Sequence, residues 1–192
     1  MFWQSDEFAQ LLSLKTFEPG EPADMNIESS KWNWTKGIPI KNVGRISVQA
    51  RSNVNAYQYK LIKIDKRLIE STIYIIIEKE DIRHPTHMIE NNSKNISLMI
   101  YQKGHESIID CLDVCEKTPY GLVDPNSNEK LICQFFIGSL RDNPLFIDDV
   151  AAEISLESVD EDEIIKIQTG FCSGRILHCK TYTDGRTKFI KF

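Results

Sequence analysis

A polar corner that runs straight into an alternating strand constrains this chain more than any other stretch. Glu90-Asn91-Asn92-Ser93 leads into Ile96-Ser97-Leu98-Met99-Ile100-Tyr101, and Gly104 closes the run. With a side-chain period of two, Ile96, Leu98 and Ile100 point to one face and Ser97, Met99 and Tyr101 to the other. Alternation by itself does not say which face is core. Asn tolerates unusual backbone angles and bonds neighbouring main-chain groups, so Asn91 is placed to form an Asx-turn that sets how the chain enters the strand. The plainer alternative is that residues 91–93 are loop and nothing more.

The same period recurs along the chain. Residues 45–50 put Ile46, Val48 and Ala50 on one face, and residues 57–64 are β-rich without clean alternation. Residues 71–79 are apolar on both faces, which predicts a strand buried between layers, with Pro85 beyond its end. After the corner strand, residues 107–115 predict another strand, Pro119-Tyr120-Gly121 a turn, residues 131–137 a second two-sided strand, and residues 154–158 an alternating one. Residues 158–163 read as an acidic, solvated connector. Asp184-Gly185 between two β-rich runs predicts a hairpin with a type I′ turn, whose central residues need positive φ. The chain stops inside that second run, which predicts a segment cut from something longer. One helix is expected near the start, where Phe8, Leu11 and Leu12 have helical spacing behind Ser5 and ahead of Glu18-Pro19-Gly20-Glu21-Pro22. Trp32 and Trp34 flank Asn33, so on a strand both rings share a face, and both are assigned to the core.

Composition enters where it excludes functions. A formal net charge of -5 leaves no basic footprint for nucleic acid, so the expected partner is a protein. The longest apolar run, Ile73-Tyr74-Ile75-Ile76-Ile77, is strand-sized, not the roughly 20 residues of a membrane span. Met1-Phe2-Trp3-Gln4-Ser5-Asp6-Glu7 lacks the basic start of a secretory signal, so a cytoplasmic location is expected. Five cysteines without tight spacing fit reduced thiols. Cys111 and Cys115 lie four positions apart on the expected strand, too far for one zinc, and Cys172, His178 and Cys179 lack a second matching pair, so no metal or other cofactor is expected. There is no phosphate loop, nucleophile elbow, HExxH or EF-hand pattern. Asp148-Asp149 and Asp160-Glu161-Asp162 read as solvated turns rather than a glycosidase pair, and the chain is read as a non-enzyme.

Residues 40–48 are echoed by residues 147–156: Ile40-Lys41-Asn42-Val43-Gly44 against Ile147-Asp148-Asp149-Val150-Ala151, each behind a proline, Pro39 or Pro144. Each copy leads to a similar second strand, Lys60-Leu61-Ile62-Lys63-Ile64 or Glu163-Ile164-Ile165-Lys166-Ile167. The matching order predicts a repeat of domain size. The expected architecture is all-β: repeated sandwich-like modules, with residues 1–35 ending a preceding region, 36–142 one complete repeat, and 143–192 the start of the next.

Five pieces in this order resemble the adaptor-binding region of the vacuolar protein sorting-associated protein 13 family. They are Trp34-Thr35-Lys36-Gly37-Ile38-Pro39-Ile40-Lys41-Asn42-Val43-Gly44, Met88-Ile89-Glu90-Asn91-Asn92-Ser93, Tyr101-Gln102-Lys103-Gly104, Pro119-Tyr120-Gly121-Leu122-Val123-Asp124-Pro125 and Asp184-Gly185-Arg186-Thr187. The resemblance implies β-rich repeats, each with an Asn matching Asn91, that recruit adaptor proteins through short Pro-X-Pro peptides. It implies a non-catalytic module of a bridge-like lipid-transfer protein, cytoplasmic and peripheral at organelle membranes and contact sites, with lipid and membrane association in other parts of the protein. Carried over residue by residue, it marks Glu90, Asn91, Ser93, Tyr101, Pro119, Tyr120, Asp124 and Pro125 as binding a partner or supporting its site. Leu122 and Val123 stand where the family usually has Trp and Asp, so a second reading is a structural spacer that binds nothing; a small cytosolic hydrolase is a third.

Overall fold

The computed structural model describes residues 11–12, 31–33, 35–40, 43–55, 58–127, 129–142, 145–156, 162–169 and 172–192. Every regular element among them is a β-strand. β1 (Leu11–Leu12) and β2 (Ile38–Pro39) form a short antiparallel pair, and β3 (Gly44–Arg51), β4 (Tyr59–Ile69) and β5 (Thr72–Lys79) form a three-stranded antiparallel sheet. β6 (His87–Glu90), β7 (Ile96–Gln102), β8 (Asp110–Leu112), β9 (Lys117–Tyr120), β10 (Lys130–Ile137), β11 (Leu145–Ser155), β12 (Asp162–Thr169), β13 (Cys172–Asp184) and β14 (Thr187–Lys191) follow. They divide between a sheet of order β11-β10-β7-β8 and one of order β12-β13-β14-β6-β9.

These two sheets share one core, so the fold is all-β and sandwich-like. Ile96, Leu98 and Ile100 of β7 lie beside Leu131, Cys133 and Phe135 of β10, and meet Ile89, Leu177, Cys179, Ile190 and Phe192 from the other sheet. Alternation thus does its expected work: the face carrying Ile96, Leu98 and Ile100 is the core, and Met99 and Tyr101 stay half-buried on the other. β6 pairs with β14 in parallel, Met88 beside Phe189 and Ile89 beside Ile190, although the two are about a hundred residues apart in the chain.

The three-stranded sheet has a smaller core of Ile38, Val48, Ala50, Ile62 and Ile64. It joins the sandwich through Leu122, which bridges Val48 in parallel; the Leu122 N–H donates to Ser47 O at 2.7 Å and the Gln49 N–H to Leu122 O at 2.9 Å. Gly121 permits that approach, since a Cβ there would meet Leu61 Cδ2 at 2.7 Å and the Val48 carbonyl carbon at 3.2 Å. Arg51 adds a second tie, donating to both carboxylate oxygens of Asp110 at 2.9 and 3.1 Å, with Gln49 donating to the same group at 3.0 Å.

Several expectations change. β5 is not buried between layers: it is the outer strand of its sheet, and Ile73, Tyr74, Ile76 and Ile77 are exposed. Two-sided apolarity marks burial only when layers exist on both sides, and among the described residues none covers this sheet edge. Pro119 lies within β9 rather than in a turn; β9 is the last strand of its sheet, where a missing N–H is tolerated. Only Asp110–Leu112 of residues 107–115 is strand. β10 buries one face and half-buries the other, where among the described residues no second sheet lies over it. At the C-terminal hairpin Asp184 pairs with Thr187, so the two-residue loop is Gly185-Arg186; Gly185 takes φ +59 and Arg186 does not, a II′-like rather than I′ arrangement. Leu11 and Leu12 are strand, paired with Pro39 and Ile38, where a helix was expected; the rest of that segment lies outside the described residues, as do Trp34 and residues 157–161. Trp32 is buried, with the Lys60 ammonium 4.3 Å from its ring centroid. Both echoed segments form strands, but β3 pairs with β4 whereas β11 joins β10 in the sheet opposite β12.

Candidate functional site

Asn91 follows the last residue of β6 and is 1% exposed. Its Nδ2 donates to the carbonyls of Ile96 at 2.7 Å and Asp113 at 2.9 Å, and its Oδ1 accepts the Ser93 N–H at 3.0 Å. The last contact is an Asx-turn; the first two tie the end of β6 to the start of β7 and to the loop after β8. Three segments thus converge on one amide whose hydrogen-bonding capacity is nearly exhausted. Ser93 extends the corner, its hydroxyl accepting the Ile96 N–H at 3.1 Å, while its carbonyl accepts the Cys115 N–H at 3.1 Å. Cys115 takes φ +54 to make that turn. Glu90 and Asn92 lock the corner to the C-terminal strand: the Phe192 N–H donates to Glu90 O and the Asn92 N–H to Phe192 O, both at 2.8 Å.

The other marked residues do not gather here. β6 and β9 run antiparallel, with Glu90 opposite Lys117 and His87 opposite Tyr120, so Tyr120 lies toward the far end, about 13 Å from Asn91 at four strand rises, and Asp124 and Pro125 follow it. Tyr120 is a core residue whose hydroxyl has no partner, and burial pushes its phenol far above the ordinary value. Pro119 sits beside Met88 on the edge strand, and Tyr101 is half-buried on the outer face of β7 beside Ile132. Asp124 and Pro125 belong to a loop organised by Gln102, which sequence reasoning left out of the site. Gln102 is fully buried; its Oε1 accepts the N–H groups of Val123 and Asp124 at 2.8 and 2.9 Å, and its Nε2 donates to Asp124 O and Ser127 Oγ at 2.7 and 2.8 Å. The signal was present: Gln102 continues the Ile96, Leu98, Ile100 register, and a polar residue at a core-facing position demands partners.

Asp113 is the second residue the sequence did not single out. Its carboxylate accepts the Ser139 hydroxyl at 2.7 Å and the N–H groups of Val114 and Leu140 at 2.8 and 3.0 Å, with Arg141 Nε at 3.6 Å. Burial pushes this carboxyl up, but the Ser139, Val114 and Leu140 hydrogen bonds and the Arg141 charge together outweigh it and hold the group below its ordinary value. A depressed folded-state carboxyl stabilises the fold above the unfolded value, here near 3.8, and that contribution is lost as pH falls through the folded value. Asp113→Asn should therefore melt below the parent protein at neutral pH, and the two curves should approach each other as the pH falls below the unfolded carboxyl value and through the folded one. A gap that stays constant across an acid titration would remove the carboxylate's charge from the account.

Beside the Asn91 corner opens a cleft of about 430 Å³. Ile96, Leu177 and Phe192 supply its apolar floor, and Asn92, Ser93, Asn95 and His178 its polar rim. Of the β7 residues, Ile96 alone lines it; Leu98 and Ile100 are sealed in the core, and Met99 and Tyr101 are not among the lining residues. Leu177, His178 and Phe192 arrive from strands far along the chain, which no local pattern announces. Among the described residues no cluster of three metal-binding side chains occurs, Cys111 and Cys115 are free thiols, and no helix is long and apolar enough to cross a membrane.

Residues 19–129 match the family model described as vacuolar-sorting associated protein 13, adaptor binding domain. No curated protein matches the chain. The matched span takes in the Asn91 corner, Gln102 and the loop that Gln102 organises. Matched over more than half of its length to a non-catalytic binding module, the chain belongs to the vacuolar-sorting associated protein 13 family and carries its adaptor-binding domain.

Proposed function

We propose that this segment binds extended adaptor peptides of the Pro-X-Pro type in the cleft beside Asn91. It does so as a non-catalytic module of a bridge-like lipid-transfer protein that works in the cytoplasm, peripherally at organelle membranes and their contact sites, and supports targeting to vacuole, Golgi or endosome. The observation that carries the reading is the cleft's composition: an apolar floor of Ile96, Leu177 and Phe192 under a rim of polar side chains without a carboxylate or ammonium, the usual make-up of a site that takes an apolar group and orients it by a few hydrogen bonds. In an extended peptide alternate residues face the same side, so both prolines of Pro-X-Pro enter one apolar cleft. Their fixed φ lowers the ordering cost of binding, and with no N–H they bring no donor that burial would leave unpaired. Peptide carbonyls remain free to accept from the Asn92 and Asn95 amides and His178. Asn91 acts from beneath, holding the corner residues Asn92 and Ser93 in place.

The test is a fluorescence-anisotropy titration of a Pro-X-Pro peptide and its Ala-X-Ala control against the full adaptor-binding region that contains this chain. The proline peptide is expected to bind at least about tenfold tighter, about 1.4 kcal/mol. His178→Asp, at an exposed rim position, is expected to weaken the proline peptide alone. Equal and weak binding of both peptides would support the spacer reading instead.

A further inference from the structure

A second and larger cleft, about 800 Å³, lies between the three-stranded sheet and the β6–β14 side of the sandwich. Its walls carry five cationic side chains, Arg45, Lys66, Arg67, Arg186 and Lys188, against two carboxylates, Asp65 and Glu129, in a chain whose overall charge is -5. Two carboxylates against five cations leave an excess of positive charge, even with Glu129 acting electrostatically on Lys66. Asp65 is taken by Arg67, at 2.5 and 3.0 Å, and stands 4.0 Å from Arg45. Lys66 is 3% exposed and donates to Pro39 O at 2.8 Å, and Lys188 donates to Leu156 O at 3.3 Å. Among the described residues neither lysine, nor Arg186, has a carboxylate within ion-pair distance.

Two buried polar nitrogens at this cleft also lack a partner. Arg45 Nε is shielded from solvent and bonds to nothing, and so is Nδ1 of His87, a side chain 4% exposed. Burial and the Lys188 charge hold the His87 imidazole neutral at neutral pH, its pKa lowered to about 4, so it offers one N–H and one acceptor. Buried polar groups without partners are rare, and two on the wall of one cationic cleft call for a common ligand rich in acceptors. Guanidinium and ammonium donors converge from β3, β4 and the β13–β14 hairpin, with the imidazole from β6. This surrounds a tetrahedral group better than a flat carboxylate. The volume falls in the range of about 300–1,000 Å³ usual for small-molecule sites, larger than a bare ion needs.

We propose that this cleft binds a phosphate monoester carried on a small polar body, either a soluble phosphorylated molecule or a phosphorylated lipid headgroup. The site is separate from the Asn91 cleft and shares none of its lining residues.

The test titrates the 192-residue chain calorimetrically with inositol trisphosphate and, in parallel, with sedimenting phosphatidylcholine vesicles that carry phosphatidylinositol bisphosphate. The soluble probe is expected to bind, with an affinity that falls as salt rises, and Arg186→Glu, at an exposed position, to weaken it by about tenfold. Lys79→Glu, an equal charge change at an exposed strand end outside the cleft, is expected to leave it unchanged. Circular dichroism of each variant checks the fold. Binding of probe and vesicles together identifies a lipid headgroup as the source, and binding of the probe alone a soluble ligand. No heat with the trisphosphate overturns the proposal. So does an equal loss in both variants, or binding to vesicles without the soluble probe, since each would reduce the cleft to general electrostatic adhesion.

Discussion

Asn91→Ser should cost roughly 2–4 kcal/mol, because the shorter side chain leaves acceptors on two separate segments without their donor, at about 1–3 kcal/mol for each buried group left unpaired. For a chain of this size that corresponds to a melting temperature lower by roughly 4–16 °C. The groups that lose partners are the Ile96 and Asp113 carbonyls. A serine hydroxyl can still reach the Ser93 N–H, since an ST-turn replaces an Asx-turn, but it has one proton to donate and no length to span to Asp113. Hydrogen exchange should quicken at Ser93 and Ile96, and also at Cys115 and Glu116, whose main chain closes the same corner. Asn92→Ser is the natural control: Asn92 is exposed, and its replacement should shift stability by no more than about 0.5 kcal/mol. Equal melting temperatures for Asn91→Ser and the parent protein would show that the corner is held by its main-chain bonds alone.

A comparable loss, roughly 2–4 kcal/mol, is expected for Gln102→Leu, although leucine is apolar and close in size and its neighbour across the sheet is Leu131. Hydrophobic burial favours the substitution and hydrogen bonding opposes it. Here hydrogen bonding wins, because leucine leaves the N–H groups of Val123 and Asp124 and the carbonyl of Asp124 facing an apolar side chain. The damage should be local and at the opposite end from that of Asn91→Ser. Exchange should rise at Val123 and Asp124, the bridge from Leu122 to Val48 should loosen, and Ser93 should stay protected. Gln134→Leu on β10, where the side chain is half-buried on the outer face, should be far milder. Denaturant melts that rank the two glutamines equally would mean that the loop after β9 is held by its other contacts.

The two amides also show how unevenly the site could be read. Asn91 was legible because it breaks a pattern in a recognisable way, a polar corner ahead of clean alternation, and its Asx-turn is a local interaction spanning two residues. Gln102 stood in an equally legible position but looked like the end of a strand, since its partners lie on a loop more than twenty residues away. Tyr120, Asp124 and Pro125 were marked together with Asn91 by the family resemblance, which carries no distances; the antiparallel pairing of β6 with β9 puts them at the far end of the strand pair. Neither cleft was legible, because Leu177 and Phe192 in one and Arg186 and Lys188 in the other come from strands whose places in the sheet are set by pairing across long separations.

By itself the sequence determined that this chain is β from residue 38 onward, where most strands lie, which β7 residues share a face, and that Asn91 stands at a corner. Each of these follows from the two-residue period and from local hydrogen bonding, which act over a few positions. Only the tertiary structure decided that the Ile96 face is core, that the isoleucine-rich β5 is an exposed edge, that β11 leaves β12 for the other sheet, and that β14 lies parallel to β6. The reason is that alternation records on which side a residue points but not what it meets there. Strand partners and layer coverage are settled by burial summed over segments far apart in the chain, and an isolated apolar strand reads the same whether a second layer lies above it or water does.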